Sequence, residues 1–80
     1  MQGVDLLVSR FPTQEFSIRR LYACDPDFRM VCDDYEDVQN ALQHWQADDR
    51  ATPGMVGHYR TLLEELETEV LSILTRRRKA

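Results

Sequence analysis

The side chains of this 80-residue chain best suited to chemistry are Cys24, Cys32, His44, His58 and a crowd of carboxylates in the middle third. Cys24 and Cys32 stand eight apart with Pro26 between them. Metal and redox motifs want cysteines about two to four apart. The expectation for both is a small apolar side chain, buried or half-buried, with a regulatory thiol as the alternative. His44 and His58, with Asp48 and Asp49 near by, have the ligand types of a zinc site and of a small metal-dependent enzyme. On the helices argued below, both histidines fall on outer faces and point apart. Two solvated histidines are expected, with no metal site. Ser9, Ser17 and Ser72 show no nucleophile-elbow pattern. Gly54 and Gly57 lack the further glycine of a phosphate-binding fingerprint. The chain is therefore read as a non-enzyme with no cofactor and no catalytic residues.

Charge is the stronger signal. Asp33-Asp34-Tyr35-Glu36-Asp37 packs four carboxylates around one tyrosine. A calcium loop would need alternating ligands, a Gly at the sixth position and a terminal Glu. On a helix these acids instead fan around the polar face, either as solvated surface or as a dock for a basic partner. Arg76-Arg77-Arg78-Lys79 is the one basic run and the candidate anion-binding site. It can touch phosphate or an anionic membrane surface. It also suits a helix C-terminus, where cations meet the negative end of the dipole. Net charge is −4, with residues 1–23 at +1, 24–49 at −7 and 50–80 at +2. That balance argues against general nucleic-acid binding.

The elements that position these residues follow from apolar spacing. Asp25-Pro26-Asp27 combines an N-cap residue, a proline suited to the first helical position and an acid for the positive end of the dipole. Phe28, Val31, Tyr35, Val38, Leu42 and Trp45 then recur at 3, 4, 3, 4 and 3. After Thr52-Pro53 the series Val56, Tyr59, Leu63, Leu66, Val70 and Ile73 repeats those spacings. Two seams of equal length and phase predict an antiparallel, coiled-coil-like hairpin of helices over 25–47 and 53–76. Residues 1–23 predict a helical segment broken near Pro12, with Thr13 capping a second piece that carries Phe16, Ile18, Leu21 and Tyr22.

The order of features resembles the YdcH-like family of small bacterial helical proteins. The residues that carry the likeness are Ile18-Arg19-Arg20-Leu21, Asp25-Pro26-Asp27-Phe28, Asp33-Asp34-Tyr35 with Val38 and Leu42, and His58 to Leu66 continuing through Glu69-Val70 to Leu74. Where that family usually has a His or acid followed by Leu-Asp, this chain has Val38-Gln39. The resemblance implies a cytoplasmic helical hairpin and supplies no catalytic residues.

Composition agrees with one small all-α domain over residues 1–80. The chain is 42% hydrophobic and 30% charged, with 3 Gly and 3 Pro, which excludes collagen-like and wholly disordered classes. No apolar run is long enough to span a membrane. Met1-Gln2-Gly3-Val4-Asp5 lacks the basic start of a signal peptide, so the expected compartment is the cytoplasm. Met55, Leu62, Leu71 and Leu74 widen the apolar arc of the last helix beyond what one facing helix covers. Residues 4–22 or a second copy must cover the rest, and a homodimeric four-helix bundle through these four leucine and methionine side chains is expected. The functional expectation is a protein–protein interaction or adaptor protein, its surface made by that arc together with Asp33, Asp34, Glu36 and Asp37. A nucleic-acid accessory protein using Arg76 to Lys79 with Arg19 and Arg20 is the alternative.

Overall fold

Asp25 is the joint on which the helices turn. Its extended backbone ends one helix while its carboxylate starts the next, accepting from the amides of Asp27 (3.0 Å) and Phe28 (3.2 Å). The computed structural model describes the backbone of residues 2–79 and the side chains of residues 3–76. Its helices are α1 (Gln2–Arg10), α2 (Glu15–Cys24), α3 (Pro26–Gln46) and α4 (Pro53–Lys79), with a short 3-10 turn at Pro12–Gln14. No strand occurs among the described residues. The fold is all-α, as the spacings predict, and no helix among the described residues is long and apolar enough to cross a membrane.

Local chemistry explains each boundary. Pro12 stops α1, whose last turn closes through the Phe11 amide on the Leu7 carbonyl. The α2 C-terminus is held by Arg29, whose guanidinium donates to the Tyr22 and Ala23 carbonyls and lies over the Tyr22 ring. Thr52 Oγ1 accepts from the Met55 amide and so caps α4, with Pro53 in the first helical position. In the connecting turn Asp48 accepts from both the guanidinium and the amide of Arg50, bonds that hold its carboxyl below the usual range. One expectation fails here. Thr13 caps nothing: it sits inside the 3-10 turn, and Gln14 precedes α2 without a side-chain cap bond.

The long helices run antiparallel. Phe28 and Ile73 line one groove, Tyr35 bonds Glu67, and Val38 and Leu66 line a second groove, so numbers rise on α3 as they fall on α4. Helices α1 and α2 pack on one side of this hairpin, chiefly against α3. The core joins Val4 and Leu7 of α1 and Ile18 and Leu21 of α2 to Phe28, Val31, Cys32, Tyr35 and Leu42 of α3 and Leu63, Val70 and Leu74 of α4. Phe16 does not join it and is 77% exposed. Two residues from Ile18 is about 200° round the helix, so Phe16 faces away from the buried Ile18–Leu21 stripe.

Close approach of α1 to α3 requires Gly3. A β-carbon there would run into the Cys32 carbonyl oxygen and lie 2.9 Å from its carbon. Gly57 differs, with nothing within 4 Å of its would-be β-carbon inside α4. Gly3→Ala is expected to destabilise by about 1–3 kcal/mol, and Gly57→Ala to stabilise by about 0.5–1 kcal/mol. Thermal melts followed by circular dichroism check the opposite signs. In the same assay Leu74→Ala, at a 2% exposed core position, is expected to cost about 2–5 kcal/mol. Leu66→Ala, at a half-buried one, is expected to cost about 1 kcal/mol.

Candidate interaction groove

The rotation of α4 decides which of its side chains remain available. Glu67 Oε2 accepts from the Tyr35 hydroxyl at 2.7 Å and from Arg10 at 3.2 Å, tying α4 to α3 and α1 at once. Burial first, and then the bond to Glu67 and that carboxylate's charge, raise the Tyr35 phenol well above its ordinary value. Leu63, Val70 and Leu74 lie on the same side of α4 as Glu67 and are buried in the core shared with α1, α2 and α3. Val4, Leu7, Ile18 and Leu21 share that core, so part of the wide apolar arc is covered within the chain.

The rest is left as a groove between α3 and α4, on the far side from α1. One part, about 300 Å³, is lined by Val38, Leu62 and Leu66 with Asp34, Asp37, Glu65 and Glu69. The part at the open end of the hairpin, about 630 Å³, adds Val31 and Ile73, with Asp27 and Arg76 beside them. The floor is apolar, and the banks are carboxylates except for Arg76 at the open end.

The expected dimer surface is not one surface. Leu74 is buried within the monomer and offers nothing to a second copy. Leu71, 42% exposed, is nine residues from Leu62 and so lies about 180° round the helix from it. Met55 and Leu62 are half-buried and share a face. Of the acidic run, only Asp34 and Asp37 border the groove. Asp33 is exposed outside its lining, and Glu36 turns toward Gly3. Glu65 and Glu69 complete the rim and were missed from sequence. Their signal was present: one turn apart, they flank Leu62 and Leu66 on a single edge of α4.

Arg76 stands at the open end of the groove, and the side chains of Arg77, Arg78 and Lys79 lie outside the described residues. Arg19 is engaged by Glu15 and Asp5, which raise its pKa. His44 and His58 are both exposed, each lying against its neighbouring aromatic ring, Trp45 and Tyr59. No group of three metal-ligating side chains gathers among the described residues.

The two cysteines separate by environment. Cys32 is buried, as expected, but Cys24 is exposed at the end of α2. Desolvation, and secondarily the charge of Asp33, push the Cys32 thiol up to about 12 from an ordinary 9.0. A thiol-specific chromogenic reagent at neutral pH is therefore expected to label one site per chain quickly, Cys24, and Cys32 only as the chain unfolds. The shift has a stability consequence. The unfolded chain loses the Cys32 proton first, so this contribution is complete below pH 9.0 and is lost as pH rises to about 12. Denaturant melts across that window are expected to show a smaller loss of stability in Cys32→Ala.

No protein-family model, curated protein or solved structure matches the chain.

Proposed function

We propose that the chain is a non-enzymatic interaction module that binds a partner protein through the α3–α4 groove. The observation that carries this reading is the unfilled apolar floor of Val31, Val38, Leu62, Leu66 and Ile73, flanked by carboxylates and held on a hairpin that α1 and α2 brace from behind. Rigid, partly apolar concavities between helices favour helix-in-groove recognition. The resemblance to the YdcH-like family supports the hairpin architecture. It carries no activity over to this chain. Free Cys24 and Cys32 suit a cytoplasmic site of action.

Two features weigh against the nucleic-acid reading. Arg19 is already paired with two acids, and Arg76 stands among carboxylates at the groove's open end. Phosphate would meet negative charge there.

The test is photo-crosslinking in the source cell. A benzophenone side chain replaces Leu62 in the groove, or Thr68, which is exposed outside it. A discrete protein adduct from position 62 and none from 68 is expected. Adducts from neither position would remove the interaction reading. An adduct of two copies of the chain would identify the homodimeric bundle as the partner state. For the nucleic-acid alternative, binding that falls steeply as salt rises is the signature to look for.

A further inference from the structure

We infer that the occupant of the groove is an amphipathic helix of a partner protein, with Lys or Arg flanking an apolar stripe on both sides. This rests on the interaction reading above and adds the chemistry of the partner. Asp34 and Asp37 stand on the α3 bank, Glu65 and Glu69 on the α4 bank, and Asp27 at the open end. None of the five takes part in the ion pairs among the described residues, which are Arg10–Glu67, Arg19–Asp5, Arg19–Glu15 and Arg50–Asp48.

Those carboxylates are hydrated while the groove is open. An occupant that covers the floor strips part of that water. If it is neutral at its flanks, the charges lose hydration without gaining a partner. Basic flanks replace water with charge-assisted hydrogen bonds, and acids on both banks require cations on both sides of the stripe. From Leu62 to Arg76 the α4 bank runs ~21 Å at 1.5 Å per residue, which matches about four turns of helix. The same charges disfavour the other occupants. A second copy docking groove to groove would set two banks of carboxylates against each other, with Arg76 the one cation among the described lining residues. Nucleic acid and anionic lipid carry the wrong sign.

The test uses the full chain and fluorescently labelled peptides of about four helical turns. One carries a leucine stripe flanked by lysines. A second has the same composition scrambled to remove the stripe, and a third has glutamates in place of the lysines. The striped Leu/Lys peptide is expected to bind at least about tenfold more tightly than the scrambled one, and the Leu/Glu peptide not to bind. The double variant Glu65→Lys/Glu69→Lys is expected to weaken that binding by at least about tenfold. Asp33→Lys/Glu64→Lys makes the same change in net charge at exposed positions outside the groove lining, and should weaken it by less than about threefold. All four altered positions are exposed, and circular dichroism confirms that each variant retains its helicity. Equal binding of striped and scrambled peptides, equal loss in both double variants, or preference for the Leu/Glu peptide would overturn the inference. So would a crosslink from position 62 to an acidic segment or to a second copy. Those two outcomes leave the interaction reading standing, whereas the absence of any groove adduct removes both.

Discussion

A single carboxylate ties three helices together. Glu67 lies on the inward side of α4, among leucines and a valine, where an unpaired charge would be costly. It is tolerated because the Tyr35 hydroxyl and the Arg10 guanidinium both reach it. The bond from the Tyr35 hydroxyl, on a buried ring, is the stronger of the two, because Arg10 is 61% exposed and solvent weakens its pairing. Helix α4 is wound so that Leu63, Val70 and Leu74, on the same side as Glu67, enter the core while Leu62 and Leu66 face the groove. Tyr35 remains protonated and able to donate because burial and Glu67 both oppose its ionisation.

The same winding divides the labour between the two sides of the hairpin. Behind it, α1 and α2 cover what α3 alone would leave wet. The approach is close enough that a glycine is needed where α1 crosses Cys32. In front, nothing among the described residues fills the space between Val38 and Leu66. The protein is therefore braced on one face and open on the other. A small helical unit needs that combination if it is to stay folded while keeping apolar surface for a partner.

Much of this could be read from residues alone. The spacings from Phe28 to Trp45 and from Val56 to Ile73 gave both long helices, and Asp25-Pro26 and Thr52-Pro53 gave their starts to the residue. Those signals are local, so a single sequence contains them. The choice of Leu74 over Leu66 as the more buried residue was not local. It depends on which side of α4 the other helices reach, a side marked by Glu67 meeting Tyr35 across 32 positions and Arg10 across 57. Thr13 caps nothing for a related reason: near Pro12 the chain offers too few turns for local signals to fix where a helix begins. Only part of the groove was legible. Asp34 and Asp37 stood out in a dense run, whereas Glu65 and Glu69 were dispersed among leucines and gained meaning only when the opposite bank was in place.

The joint at Asp25 has a consequence for how this chain can change length. One non-helical residue separates α2 from α3, so the two helices have a fixed mutual phase. A residue inserted or deleted inside the first turns of α3 would rotate the rest of that helix by about 100° relative to its start. Asp34 and Asp37 would leave the groove, and the Cys32 carbonyl would leave the notch at Gly3. The segment between Gln46 and Pro53 carries no such phase requirement, because its turn is closed locally by Asp48 and Arg50. Relatives that differ in length should therefore carry their extra residues at the tip of the hairpin, while the spacing from Ile18 to Val38 stays constant.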